Sequence, residues 1–88
     1  MKINLMASFD SDTTEVETQS VTLRDLLIEL SKKYPNVTFF HKDRDEVHIN
    51  FFVELNGQMH DYIPDELGTK LKEGDKVEIY EAGEFPED

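Results

Sequence analysis

Histidine and carboxylate side chains are the groups in this sequence best suited to chemistry, because they bind metal ions and transfer protons near neutral pH. The chain has three histidines, His41, His48 and His60. A zinc site needs three or four ligands at fixed distances. We expect His60 to lie opposite Val53 in a hairpin, with His48 farther along the same strand. The three imidazoles are therefore not expected to converge, and we predict no metal site.

Acidic residues are concentrated in two loops, at residues 10–12 and 43–46. The first loop begins like a calcium-binding loop but lacks the required glycine and the distant bidentate glutamate. A catalytic pair of carboxylates needs an apolar cleft that raises the pKa of one of them, and a domain of 88 residues rarely provides such a cleft. The chain also has no glycine-rich phosphate loop and no cysteine. We predict no catalytic residue, no cofactor and no enzymatic activity.

The charge of the chain restricts its partners. Twenty acidic residues against nine basic ones give a formal net charge of −11. Nucleic acids and anionic membranes would repel such a chain, so we expect a protein partner with a basic surface. Residues 1–5 are too polar for a secretory signal, and no apolar run reaches the length of a membrane span. We therefore expect a cytoplasmic protein.

Apolar residues that alternate with polar ones predict strands, because successive side chains of a strand point to opposite faces. This pattern is clearest over residues 47–55, where Ile49 and Val53 would share the core face. Asn56-Gly57 follows at once, and this pair favours a two-residue type I′ hairpin turn. Further strands are predicted at residues 1–9, 15–18, 58–60 and 76–80.

One amphipathic helix is predicted over residues 22–34. Thr22 and Asp25 have the spacing of a capping box, and Pro35 ends the helix because the residue before a proline avoids the α region. A stripe of four leucines, Leu23, Leu26, Leu27 and Leu30, would face the core. We expect Leu26→Ala to be costly and Glu29→Ala, on the polar face, to be nearly neutral.

The order of these elements predicts an α+β fold in which a mixed sheet packs on one main α-helix. Because a single helix can cover only one face, the other face of the sheet should remain open. The helix should join two strands that lie parallel, through a right-handed crossover. This arrangement is the β-grasp, or ubiquitin-like, fold, with the first and last strands as neighbours at the centre of the sheet.

Three motifs in this order resemble the MoaD/ThiS-type ubiquitin-like sulfur carriers, such as the small subunit of molybdopterin synthase. They are the helix entry at residues 21–27, the strand and hairpin at 53–57, and the approach to the last strand at 71–79. The resemblance covers residues 1–81, which we predict to form the domain, followed by a flexible acidic tail at 82–88. It implies a partner such as an adenylating enzyme or a synthase large subunit.

The tail departs from the family pattern. In sulfur carriers the last strand leads to two terminal glycines, and the terminal carboxylate is adenylated and converted to a thiocarboxylate. This sequence has Gly83 followed by Glu84 and no pair of consecutive glycines. Two interpretations follow. The chain is a binding module without carrier chemistry, or it is a sulfur carrier activated by processing at Gly83 or made from a longer native chain.

Four apolar side chains are candidates for partner binding. Phe52 should point to the open face of the sheet if Val53 faces the helix, and Met59 and Tyr62 follow the hairpin turn. Phe85 is the one large apolar residue of the tail. We expect these residues, Phe52, Met59, Tyr62 and Phe85, to contact a protein partner. The alternative for Phe52 is that the loop at 36–46 or the tail covers it.

Overall fold

The computed structural model describes residues 1–10 and 14–82. Within them the chain forms seven strands, one α-helix and two short 3-10 turns. The strands are β1 (Lys2–Ala7), β2 (Glu15–Glu17), β3 (Phe40–His41), β4 (Glu46–Val47), β5 (Phe51–Leu55), β6 (Gln58–Met59) and β7 (Lys76–Glu81). Helix α1 spans Leu23–Lys33, and the 3-10 turns span His60–Tyr62 and Glu66–Gly68.

Five strands form the main sheet in the order β2-β1-β7-β5-β6. Strands β1 and β7 run parallel, with Leu5 level with Val77, and β5 lies antiparallel on the other side of β7. The predicted central pairing of the first and last strands is therefore confirmed. A mixed sheet with one helix across it is the β-grasp arrangement, also as predicted.

Helix α1 begins and ends where its sequence requires. The Thr22 hydroxyl accepts a hydrogen bond from the backbone N–H of Asp25 (3.2 Å), and the Asp25 carboxylate accepts one from the N–H of Thr22 (3.4 Å). This reciprocal pair is the predicted capping box. The helix stops at Lys33, two residues before Pro35, and the N–H of Tyr34 still bonds to the Leu30 oxygen (2.9 Å).

The core lies between α1 and one face of the sheet. The predicted leucine stripe is buried, with at most 3% of any of the four side chains exposed. Phe39 is fully buried and stacks on Phe9, with ring centroids 5.4 Å apart, while Phe51 meets both rings edge-on. The segment that holds Phe39 and Phe40 thus covers the core, partly as the short strand β3.

The strand predicted over residues 47–55 is interrupted. Glu46 and Val47 pair with Phe40 and His41 in a separate two-stranded ribbon, and the main-sheet strand begins only at Phe51. Between them the Phe51 N–H bonds to the His48 oxygen (2.9 Å), and the Asn50 N–H bonds to His48 Nδ1 (3.0 Å). This turn directs Ile49 outward, so the prediction of a core position was wrong: Ile49 is 88% exposed.

The hairpin after β5 has the predicted turn but a shorter return. Asn56 and Gly57 have φ angles of 52° and 85°, and two positive φ values in succession define the type I′ turn. The return strand ends at Met59, because His60 starts a 3-10 turn. The expected position of His60, opposite Val53 in a continuing strand, is therefore corrected.

Candidate functional site

The face of the sheet turned away from α1 carries a cluster of apolar side chains. Phe52 on β5 lies opposite Tyr80 on β7, and their rings stack with centroids 5.6 Å apart. Met6 on β1 lies level with Glu78 of β7, so its side chain shares this face, and it is 53% exposed. Met59 pairs with Glu54 and thereby joins the same face at the edge strand. We call Met6, Phe52, Met59 and Tyr80 the open-face cluster.

Carboxylates lie directly among these apolar side chains. Glu54 and Glu78 are opposite each other in the β5–β7 pair, an arrangement of like charges that costs stability unless a cation or a donor compensates. The Tyr80 hydroxyl donates a hydrogen bond to Glu54, and Lys76 lies 3.7 Å from Glu78. Burial of the ring, followed by the bond to Glu54, raises the pKa of Tyr80 to about 12, so this phenol stays protonated at neutral pH.

The structure brings together only part of the predicted partner-binding set. Phe52 and Met59 share the open face, whereas Tyr62, 80% exposed, lies on the 3-10 turn that follows β6. Phe85 and Gly83 lie outside the described residues. Met6 and Tyr80 were missed, although the sequence contained a signal for Met6: its neighbours Leu5 and Ala7 face the core, so an apolar residue between them must point outward.

A second feature is a half-open groove of about 300 Å³ beside the end of β5. It is lined by residues 45–49, by Phe51 and Phe52, by residues 59–61, and by Glu66 and Leu67. The Nδ1 atom of His60 is inaccessible to solvent and has no hydrogen-bond partner among the described residues. Such atoms are rare in folded proteins, and each calls for a water, an ion or a partner group. We call this feature the His60 groove.

The histidines do not form a metal centre in the described part of the chain. His41 and His48 come closer than expected, with ring centroids 5.1 Å apart, because the β3–β4 ribbon places them side by side. Within residues 1–10 and 14–82, however, no three His, Asp or Glu side chains are grouped so that they could hold a metal ion.

The 11-residue helix α1, the only one described, is not long and apolar enough to span a membrane.

Comparisons with known proteins agree with this architecture. The family model of the ThiS family matches residues 4–82. Small archaeal modifier protein 1 from Methanosarcina acetivorans superposes with a TM-score of 0.68 at 23% identity, covering 97% of this chain and 94% of that one. Its counterpart from Haloferax volcanii gives 0.65 at 22%, covering 97% of each chain.

Urm1 from Sulfolobus solfataricus gives a TM-score of 0.66 at 16% identity and covers 92% of this chain and 99% of that one. At identities this low, the TM-scores show that the fold is shared and nothing more. No curated protein matches the sequence.

Proposed function

Because this chain belongs to the ThiS family, we propose that it is a non-catalytic, ubiquitin-like binding module that docks on a protein partner through its open-face cluster. The observation that carries the proposal is the position of Met6. It is a large apolar side chain on a central strand, on the face opposite the helix, and 53% of it is exposed. Phe52 and Tyr80 extend the same apolar surface across β7 and β5.

The charges around the cluster indicate the partner. Glu54 and Glu78 lie within the cluster, and Glu15 and Glu17 lie on the adjacent edge strand β2. Glu15 and Glu17 are paired with Lys2 (3.9 Å) and the N-terminal amine (2.7 Å), but a lysine or arginine of a partner beside Glu54 and Glu78 would relieve the repulsion between those two carboxylates and speed association through charge attraction. The proposed partner surface is therefore apolar at its centre and basic at its rim. By family resemblance, an adenylating enzyme or a synthase large subunit is the partner class.

In this proposal any covalent chemistry belongs to the partner, and the chain supplies binding energy and orientation. Docking through the sheet face needs no particular C-terminal residue. The proposal therefore stands whether or not the chain carries a glycine end in the cell.

The binding test is a titration of the 88-residue chain against the adenylating enzyme encoded in the same genome. Met6→Ser removes an exposed apolar contact, so we expect affinity to fall about tenfold, the effect of losing most of the burial of one such side chain. Val21→Ser is the matched control, because Val21 is 56% exposed and lies at the start of α1. If both variants bind like the wild type, the open face is not the docking surface.

Sulfur carriage is the second candidate function. The observation in its favour is the family match itself, which covers residues 4–82 and so extends over all of β7. Carriage would need a terminal glycine carboxylate, exposed by processing at Gly83 or provided by a longer native chain. Intact-protein mass spectrometry of the chain isolated from its own cells reports the terminal residue and any added sulfur. A terminal Asp88 without sulfur would contradict this candidate and leave docking untouched.

A further inference from the structure

The His60 groove has an unbalanced set of charges. Four carboxylates line it, and no lysine or arginine does so within the described chain. Two of the four are matched from outside: Arg24 bonds to Asp45 at 2.5 Å, and Arg44 lies 3.5 Å from Glu46. Asp61 and Glu66 have no lysine or arginine within ion-pairing distance in residues 1–10 and 14–82. The groove therefore keeps two uncompensated negative charges.

The same groove offers an apolar contact. The turn at residues 48–50 leaves Ile49 88% exposed, and both Ile49 and Met59 line the groove. An isoleucine this exposed contributes no hydrophobic stabilisation to the fold, and a ligand that covers it would gain free energy from its burial. His60, whose buried Nδ1 has no partner among the described residues, and Asp61 both line the groove.

From these charges and contacts we propose that the His60 groove binds a short peptide segment of another protein in which one apolar side chain is flanked by lysine or arginine. The apolar side chain packs on Ile49, and the flanking cations pair with Asp61 and Glu66. A volume of about 300 Å³ is at the lower end of the range for small-molecule pockets, and the groove is open on one side. These dimensions suit side chains presented by a peptide. The groove shares Phe52 and Met59 with the open-face cluster, but the proposed contacts to Ile49, Asp61 and Glu66 lie outside that cluster.

Charge decides against two other occupants. A second copy of this chain carries a net charge of −11 and would be repelled. Residues 84–88 of the chain itself contribute three carboxylates and no cation. A basic segment of a different protein is the occupant that fits.

The test is an NMR titration of the 15N-labelled 88-residue chain with the capped peptide acetyl-Gly-Lys-Leu-Arg-Gly-amide. We expect amide shift changes confined to residues 47–49, 59–61 and 66–67, with binding that weakens as salt is added. The charge-reversed peptide acetyl-Gly-Glu-Leu-Glu-Gly-amide should produce no such changes. Equal responses to both peptides, no response at millimolar peptide, or shifts centred on Met6 and Tyr80 would each overturn the proposal.

Variants separate local from general charge effects. The double change Asp61→Asn with Glu66→Gln should weaken peptide binding about fivefold, the size expected from the loss of two exposed ion pairs. The control Glu15→Gln with Asp43→Asn alters the net charge equally but lies outside the groove. Ile49→Ser should weaken binding about tenfold and leave the fold intact, because the side chain is exposed. Groove variants that bind like the control would also refute the proposal.

Discussion

Glu29 shows how a single side chain can contribute more than its position on a helix suggests. Its Oε1 atom accepts hydrogen bonds from the hydroxyls of Thr18 (2.6 Å) and Ser20 (2.7 Å), and Thr18 is 2% exposed. The Thr18 hydroxyl also accepts a hydrogen bond from the Ser20 N–H (3.0 Å), so removing the carboxylate would leave the buried hydroxyl proton without an acceptor, which costs more than losing a solvated charge. The helical pattern alone predicted a near-neutral site, because it shows which residues face outward but not what lies opposite them.

We therefore expect Glu29→Ala to lower the free energy of unfolding by about 1–3 kcal/mol, since it removes two bonds to a charged acceptor. Leu26→Ala should cost about 2–5 kcal/mol, because a fully buried side chain leaves a cavity. The control Lys32→Ala, exposed on the same helix, should change stability by no more than about 0.5 kcal/mol. Urea melts measure all three, and equal effects for Glu29 and Lys32 would contradict this role of the carboxylate.

Two tyrosines should ionise late. Burial of each ring, together with bonds to Asp10 and Glu54 respectively, raises the pKa of Tyr34 and of Tyr80 from 10.0 to about 12. Between pH 10 and about pH 12, the unfolded chain loses phenolic protons that the folded chain keeps. The stability from the protonated phenols is thus complete below pH 10 and is lost as pH rises towards 12.

Spectrophotometric titration of the phenolate band checks this expectation. Tyr80→Phe should remove one of the late-ionising phenols and leave the rest of the curve in place. If all tyrosines of the folded wild type ionised together near pH 10.0, the protection of Tyr34 and Tyr80 would be disproved.

At the scale of elements, the β3–β4 ribbon is attached to the helix by one bidentate ion pair. Arg24 Nε and a second guanidinium nitrogen lie 2.5 Å and 3.0 Å from the two Asp45 oxygens. The His48 N–H, bonded to the Phe39 oxygen at 2.8 Å, reports whether the ribbon is closed. Because the pair is half exposed, it should affect local opening more than global stability.

Hydrogen exchange tests this attachment. In Arg24→Gln we expect faster exchange of the His48 amide and unchanged exchange of the Asn56 amide, which bonds to Lys76 in the main sheet (2.8 Å). Lys32→Gln removes a helix charge that makes no ion pair within the described residues and should change neither amide. Uniform acceleration at both amides in Arg24→Gln would mean that the ion pair stabilises the whole domain.

The same region shows where sequence patterns stop being informative. Alternation over residues 47–55 predicted one strand, and it correctly assigned Val53 to the core. It failed at Ile49, because the bond from the Asn50 N–H to the His48 ring forms a turn within an apparently regular pattern. His48 and Ile49 of that turn line the His60 groove, and this part of its lining could not be predicted from periodicity.

The predictions that the structure confirmed depended on local rules with few alternatives. The capping box, the leucine stripe and the Asn56-Gly57 turn each follow from short-range chemistry. The central pairing of β1 and β7 followed from the β-grasp arrangement that the order of the elements predicted. Tyr80 was missed although its neighbour Ile79 faces the core, so alternation alone assigns it to the open face; only its stacking on Phe52 depends on the register between β5 and β7.

At the scale of the whole molecule, self-repulsion should be measurable. The chain carries a net charge of −11, and its described part, residues 1–10 and 14–82, has a radius of gyration of 12.0 Å. The Debye length falls from about 30 Å at 0.01 M salt to about 3 Å at 1 M. It is therefore longer than the radius of the domain at low salt and shorter at high salt. We expect Tm to rise with sodium chloride over this range, because screening relieves repulsion in the compact state.

The variant Glu15→Gln with Asp43→Asn, which carries two fewer negative charges, should show a smaller salt-dependent rise in Tm. Thermal melts at several salt concentrations measure both proteins. A Tm that falls with salt would mean that specific ion pairs outweigh the net repulsion.

The parallel pairing of β1 with β7 also has a consequence during protein synthesis. The ribosome makes β7 last of the strands, yet β7 lies between β1 and β5 and joins the two halves of the sheet. A nascent chain that ends at residue 75 has its hairpins and helix but no strand to unite them. Folding must therefore wait until residues 76–81 have left the exit tunnel, and only a completely translated domain presents the segment that follows β7.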